Sequence, residues 1–257
     1  MPLSQLYEER NELFGSHDCE VVPIKFLLGD CCENTSVQLH PNEEYARNVE
    51  NCLGKPECVF FLDVEDSSIS MYGHNARDKK ELKEMIDEER WNDLLRVYPD
   101  PKKWDFAYIP AGRVHTTCKG VVLLELSRNA DMTYRLYDFD RVGADGKKRQ
   151  LDVDKAMDVI ICPDSEDPFL EPKISKDKDV TIYSYVDIPK EFTVYRIDCD
   201  GEGEFGVDEF SFWFIAEGEG VIDGTDIRKG ETYFVPCHQD KAKLSGCFTA
   251  VIGSYKS

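Results

Sequence analysis

The stretch that decides the fold is WDFAYIPAGRVH, which runs from Trp104 to His115. Its aromatic and branched residues predict a strand over 106–110, and the Pro110-Ala111-Gly112 turn ends that strand. His115 begins the return strand. The segment therefore predicts a strand, a Pro-Ala-Gly turn and a return strand that opens with a histidine.

A second strand lies upstream, in the segment TSVQLHP at positions 35–41. Alternate residues of a strand share a face, so Ser36, Gln38 and His40 point one way. Three polar side chains on one face are costly unless that face is wet or binds a ligand. Pro41 cannot donate to a strand ladder and ends the strand.

A third strand, predicted over 57–63, follows Gly54-Lys55-Pro56 and opens with Glu57. An acid before such an apolar run is either an edge residue or a ligand aimed into a barrel. With the residues above, the chain offers two imidazoles, one carboxylate and one amide, which suit zinc or another divalent ion. Because only one of these ligands is charged, a bound ion would keep positive charge for Lewis-acid chemistry.

The rest of the chain reads mainly as short strands, with helices predicted over 3–13, 78–98 and 152–160. Asp78 and Glu81 form a capping-box pattern at the start of the second helix. Many short strands and few helices favour a barrel or sandwich over a parallel sheet. The predicted fold class is mostly β: a jelly-roll-like β-barrel with inserted helices and a second, smaller barrel.

Three regions are expected along the chain. Residues 1–162 form the metal-binding catalytic domain, which contains the helical insertion near 78–98. The polar stretch 163–179 reads as a linker. Residues 180–257 form a C-terminal domain, and no metal site is predicted there because the P-x-G-x-x-H pattern is missing.

Composition narrows the possible partners. The net charge of −20 makes nucleic acid and anionic membrane surfaces poor partners. The N-terminus shows no secretory signal and no stretch is long enough to span a bilayer, so a cytoplasmic protein is expected. The ten cysteines include no C-x-x-C pair. This pattern predicts reduced thiols and disfavours a thiolate zinc site.

The Pro-Ala-Gly turn resembles the second cupin motif, in which a P-x-G turn delivers a histidine to a metal. This resemblance implies a cupin (jelly-roll-like) β-barrel for residues 1–162 and a second, smaller cupin-like barrel for residues 180–257. A more specific resemblance is to the type I mannose-6-phosphate isomerases, in their short bacterial form. It rests on five ordered segments of this sequence: SVQLHPNEEYA from 36, LGKPEC from 53, YGHNA from 72, IPAGRVH from 109 and NADMTYRLYDFDR from 129.

That resemblance implies residue roles. Those implied for the metal, expected to be one zinc ion, are Gln38, His40, Glu57 and His115. Those implied for the substrate pocket are Arg135, Lys55 and Glu125 as catalytic residues, with Ser36 and Arg141 as substrate-binding residues. The family interconverts mannose 6-phosphate and fructose 6-phosphate through an enediol. The proton shuttle stays open between Glu125, Lys55 and a metal-bound water.

The chain departs from the family pattern at two places. Family members usually begin with a further N-terminal segment. This sequence is expected to lack it, which is expected to leave a sheet edge open and favour self-association. Trp104 stands where the cupin pattern prefers glycine, a residue that readily adopts a positive φ. Trp104 therefore predicts a different turn.

Three functions follow as hypotheses. The first is a zinc-dependent aldose–ketose isomerase acting on a hexose 6-phosphate, as a monomer or homodimer. The second is a non-catalytic metallo-cupin that binds a sugar phosphate as a sensor or truncated paralogue. The third is an iron-dependent cupin dioxygenase, which the Q-x-H pattern in place of H-x-H disfavours.

Overall fold

The strands around the quoted motifs form two antiparallel sheets in the computed structural model, which describes residues 1–17, 19–143, 145–237 and 241–257. One sheet has the order β1-β8-β3-β6 and the other β5-β4-β7-β2-β9. Their bounds are β1 Ile24–Cys31, β2 Val37–Leu39, β3 Glu57–Val64, β4 Ile69–His74, β5 Leu95–Pro99, β6 Phe106–Ile109, β7 His115–Thr116, β8 Val121–Arg128 and β9 Tyr134–Tyr137.

Apolar residues of the two sheets meet in a shared core. Val59 and Phe61 of β3 pack there with Leu123 of β8 and Tyr72 of β4. Burial of such side chains supplies about 1.5–3 kcal/mol each. The sheets are thus held face to face, as the cupin-type prediction requires.

The helices cover the opposite face of the second sheet. Val37 and Leu39, which alternate with Gln38 on β2, pack against Leu82 and Ile86 of a helix. The helices are α1 Leu3–Glu9, α2 Glu43–Tyr45, α3 Lys79–Asp87, α4 Trp91–Leu94 and α5 Val153–Val159, with a 3₁₀ turn at Asn11–Phe14 and a π-helical turn at Ala46–Glu50.

The helix predicted over 78–98 is found as two helices, α3 and α4, and the prediction of one continuous helix that reaches residue 98 is wrong. Asp78 caps α3 as expected, because its side chain accepts a hydrogen bond from the Glu81 amide at 2.9 Å. Glu89 then adopts a left-handed φ of 54°, which a continuous α-helix does not allow. The last residues of the predicted helix form β5, which pairs with β4.

A third antiparallel sheet is built from the C-terminal part of the chain. Its order is β10-β11-β12-β16-β13-β14, with β15 paired to β13. Trp213, Ile215 and Phe248 belong to its core. The bounds are β10 Lys173–Asp177, β11 Val180–Asp187, β12 Phe192–Phe205, β13 Ser211–Ile222, β14 Thr225–Arg228, β15 Thr232–Val235 and β16 Ala242–Tyr255.

Contacts divide the chain into residues 26–170 and a second unit that joins residues 1–25 to 171–257. This division differs from the predicted boundaries. The N-terminal residues join the second unit because the Phe14 ring packs 5.2 Å from Phe210 and 4.6 Å from Phe234. Part of the predicted linker belongs to the first unit, since the Leu170 amide donates to Phe106 O at 3.0 Å.

The different turn predicted for Trp104 is not found. Trp104 itself has a φ of 73°, so it holds the left-handed conformation that glycine usually supplies. Its amide donates to Phe61 O at 2.7 Å, and the Phe61 amide donates to Asp105 O at 3.0 Å. These bonds to β3 keep Trp104 in that conformation.

The mostly β, antiparallel architecture of the prediction is confirmed. Within the described ranges, no helix is both long and apolar enough to cross a bilayer.

Candidate metal centre

A row of four side chains crosses the inner face of the second sheet. His115 of β7 lies directly opposite Tyr72 of β4 and Gln38 of β2, and Gln38 in turn lies opposite Arg135 of β9. Directly paired residues of neighbouring strands lie on the same face of a sheet. Strand register therefore collects these residues although they are far apart in the sequence.

The first sheet presents two carboxylates toward the same interior. Glu57 of β3 pairs with Ser127 of β8, and Val59 pairs with Glu125. Since alternate residues of a strand share a face, Glu57 and Glu125 lie on one side. The edge-residue reading of Glu57 is wrong, because only 3% of this residue is exposed.

Three of the predicted metal ligands meet between the sheets. The Glu57 carboxylate lies 3.0 Å from His115 Nε2 and 3.2 Å from His40 Nε2. His40 and His115 are only 2% and 3% exposed. One candidate ligand atom from each residue lies within 4.8 Å of the others.

Backbone carbonyls fix the protonation pattern of both imidazoles. His40 Nδ1 lies 2.8 Å from Met132 O, and His115 Nδ1 lies 3.0 Å from Arg113 O. A carbonyl oxygen only accepts, so each Nδ1 must carry the hydrogen. In a neutral ring the lone pair is then on Nε2, which is the atom that faces Glu57.

As a result, two hydrogen-bond acceptors, His40 Nε2 and the Glu57 carboxylate, can lie in contact in the interior. Burial lowers the pKa of His40 by more than the nearby Glu57 carboxylate raises it, which favours the neutral ring. With His40 neutral, its Nε2 lone pair faces the Glu57 carboxylate, and a cation between these two acceptors would bind both. Nitrogen and oxygen ligands at zinc bond lengths would lie about 3.3 Å apart, close to the observed separations. The residues present thus fit a divalent cation.

Gln38, the fourth predicted ligand, lies beside this group. Its Nε2 is 3.5 Å from His115 Nε2, and its Oε1 accepts a hydrogen bond from the Ser36 hydroxyl at 2.8 Å. Ser36 is buried and so holds the amide in place.

Lys55 joins the two interior carboxylates. Its Nζ lies 2.8 Å from Glu57 Oε2 and 3.1 Å from Glu125 Oε1. Burial lowers the pKa of Lys55, but the two carboxylates raise it by more, so Lys55 is an ammonium. Burial raises the pKa of Glu57, but His40, His115 and Lys55 lower it by more. The pKa of Glu57 therefore lies well below its usual range.

The two predicted arginines have different surroundings. Arg135 belongs to the inner row, and its buried Nε has no hydrogen-bond partner in the described part of the chain. Arg141 is held by the structure: its guanidinium donates to Asn34 O at 2.6 Å and to the Asp138 carboxylate. It anchors the loop before β2.

Sequence analysis missed two residues near these groups. Arg149 also donates to the Asp138 carboxylate, at 2.7 Å from its Nε. Tyr72 takes part in the inner row, where burial raises the pKa of its hydroxyl. Tyr72 could have been found from YGHNA, since it stands in a motif that was noted, but only the register shows which face it occupies.

No protein-family model matches the chain. YvyI of Bacillus subtilis (strain 168) is provisionally named a mannose-6-phosphate isomerase. It is 35% identical to this chain over 256 residues, which cover 97% of this chain and 80% of YvyI. A crystal structure of the mannose 6-phosphate isomerase from Bacillus subtilis superposes with a TM-score of 0.92 at 34% identity, covering 98% of this chain and 81% of that one. A zinc-bound mannose 6-phosphate isomerase superposes with a TM-score of 0.79 over 100% of this chain and 86% of that one, and at 14% identity it shows a shared fold alone.

Proposed function

The chain belongs to the mannose-6-phosphate isomerase family, and we propose that it interconverts mannose 6-phosphate and fructose 6-phosphate by means of one bound zinc ion. The observation that carries this proposal is the convergence of His40 Nε2, His115 Nε2 and the Glu57 carboxylate in a buried interior. Two imidazole nitrogens and a carboxylate in contact form a donor set that suits a divalent cation, and a protein of the same fold is described as zinc-bound.

His40, Glu57 and His115 would hold the ion, and Gln38 is the proposed fourth ligand. Two imidazole nitrogens and a carboxylate oxygen form a donor set that suits zinc. When bound, zinc supplies Lewis-acid stabilisation of the negative charge that develops on substrate oxygens. Two histidines and one carboxylate can also bind ferrous iron, and it is the similarity to mannose-6-phosphate isomerases that favours the isomerase over an iron oxygenase.

We propose that isomerisation proceeds through an enediol, with a proton moved between C1 and C2 of the sugar. Glu125 and Lys55 are the acid–base groups next to Glu57 on the inner face, linked at 3.1 Å. A proton carrier must lie within hydrogen-bond reach of the carbon it serves. Lys55 also keeps both carboxylates close to one another, because its ammonium lies within ion-pair distance of each of them.

Arg135 is the proposed partner of an anionic substrate group. A guanidinium binds two oxygens at once, and this one lies in the same row as Gln38. Ser36 and Arg141 stay predictions as substrate-binding residues; in the structure Ser36 supports Gln38 and Arg141 supports the Asn34 loop. The predicted cytoplasmic location and the monomeric or homodimeric state also stay predictions.

A coupled isomerase assay tests the proposal. We expect the zinc-loaded protein to form fructose 6-phosphate from mannose 6-phosphate, a chelator to abolish that activity and added zinc to restore it. His40→Ala should lose roughly 10²–10³-fold in kcat, as for other groups that support transition-state charge. His17→Ala is the matched histidine control, because His17 lies outside the unit of residues 26–170 and should leave kcat unchanged.

The absence of turnover of any hexose 6-phosphate by the zinc-loaded protein would refute the isomerase. Calorimetric binding of mannose 6-phosphate without turnover would instead assign a non-catalytic, metal-binding protein.

A further inference from the structure

A buried ion pair lies beside the candidate metal centre and has no part in the function proposed above. Arg113 donates from Nε to Asp164 Oδ2 at 3.2 Å and from Nη2 to Asp164 Oδ1 at 3.1 Å. The side chains of Arg113 and Asp164 are only 3% and 1% exposed. The contact is a two-bond fork, which fixes the orientation of both groups and not only their distance.

Arg113 belongs to the turn that serves both histidines. Its carbonyl accepts the hydrogen bond from His115 Nδ1 at 3.0 Å. The preceding residue, Gly112, donates its amide to His40 O at 2.8 Å. The Arg113 amide donates to Pro110 O at 3.1 Å and closes the turn. A shift of this turn would therefore disturb both imidazoles.

Asp164 is itself held from several directions. Arg96 donates from Nη2 to Asp164 O and to His74 O. Gly73 permits the close approach: a Cβ at this position would lie 2.7 Å from Asp164 Oδ2, and its φ is 82°. The segment before Asp164 is bound to the turn too, since the Ile161 amide donates to Gly112 O at 2.9 Å.

We propose that the Arg113–Asp164 pair is a positioning element of the metal centre, which holds the 110–113 turn so that Arg113 O keeps His115 Nδ1 donating and His115 Nε2 directed at Glu57. The inference rests on the proposed function in that it takes the site to bind a divalent metal. Asp164 is then a positioning residue that acts on His115 through Arg113.

The energetics of buried ion pairs favour a geometric role. Such a pair adds little net stability over apolar side chains of similar size, because desolvation offsets the attraction. A planar fork, in contrast, allows one orientation of the guanidinium and hence of the turn that carries it. Removing a group that orients a metal-bound histidine typically weakens metal binding by about 10–100-fold.

The test measures zinc affinity of the full-length, metal-free protein by competition with a chromophoric chelator, without substrate. Asp164→Asn keeps the shape of the side chain and removes its charge. We expect its zinc dissociation constant to rise by about 10-fold or more. The visible spectrum of the Co²⁺-loaded variant should also differ from that of the wild type, since it reports on ligand geometry and not on stability.

A second variant separates positioning from folding. Arg113→Met combined with Asp164→Leu removes both buried charges, and Glu166, which lies 3.5 Å from Arg113, is 82% exposed and stays hydrated, so the thermal stability of this variant should stay close to that of the wild type. Its zinc affinity should nevertheless fall, because the two hydrogen bonds that orient the 110–113 turn are gone. Asp198→Asn is the control: it breaks the Arg196–Asp198 contact at 3.2 Å in the other unit and should leave both zinc readouts unchanged.

Wild-type zinc affinity and Co²⁺ spectra in either Asp164 variant would overturn the inference. Failure of every Asp164 variant to fold would overturn it as well, because the pair would then be a requirement of the fold. A wild-type protein that binds no zinc would refute the proposed metal function itself, which distinguishes the two failures.

Discussion

At the scale of single residues, the interior depends on one ammonium group between two carboxylates. Lys55 Nζ contacts Glu57 at 2.8 Å and Glu125 at 3.1 Å, and its side chain is 10% exposed. Without this cation, two buried carboxylates would repel each other in a medium that screens charge poorly. Lys55 therefore stabilises the fold around the site in addition to its proposed role in the reaction.

Lys55→Met keeps the length of the side chain and removes the charge. In the metal-free protein we expect the free energy of unfolding to fall by about 3–5 kcal/mol, the usual effect of breaking a buried ion pair. Urea unfolding in the presence of chelator measures this. Lys80→Met is the control, because that side chain is 86% exposed and lies 3.7 Å from Glu84; its effect should stay below about 1 kcal/mol. Equal stabilities for the two variants would contradict the prediction.

At the scale of elements, helix α3 owes its start to Asp78. The Asp78 carboxylate accepts from the Glu81 amide, which otherwise has no partner within the first turn. Leu82 and Ile86 then anchor the helix on the second sheet. The helix covers the outer face of β2, the strand that carries Gln38 on its inner face.

Asp78→Ala removes the cap and should lower the free energy of unfolding by about 1 kcal/mol. The same urea experiment measures the change. Glu84→Ala serves as a control on the same helix, since Glu84 is 56% exposed and should give a change within about 0.5 kcal/mol. If Glu84→Ala were as destabilising as Asp78→Ala, the cap would not be the cause.

At the scale of the whole molecule, zinc binding and folding should be coupled. The candidate ligands come from β2, β3 and β7 or their ends, so they meet only when both sheets have formed. A ligand that binds only the native state stabilises it by mass action. The net charge of −20 further means that a bound cation relieves some of the self-repulsion of the chain.

We expect free zinc at 100 times its dissociation constant to raise the free energy of unfolding by about 2.7 kcal/mol. Differential scanning calorimetry with zinc and with chelator measures the shift in melting temperature. His40→Ala should show almost no shift under the same conditions. A zinc-dependent shift of equal size in this variant would place the binding site elsewhere.

Local patterns in the sequence determined much of this protein. Alternation put Ser36, Gln38 and His40 on one side of a strand, and the Pro-Ala-Gly turn put His115 at the start of the next. The motifs together led to the family, which the comparisons confirm. These features depend on neighbours within a few residues, and so the sequence carries them directly.

Long-range pairing decided the rest. Residues 95–99 have a helix-like pattern yet form β5, because β4 offers them a partner strand. The meeting of Glu57 with both imidazoles, the engagement of Arg141 by Asp138 and the contact of Asp164 with Arg113 each join distant segments. Which strand faces which, and in what register, is fixed by burial of the common core, and no local pattern contains that information.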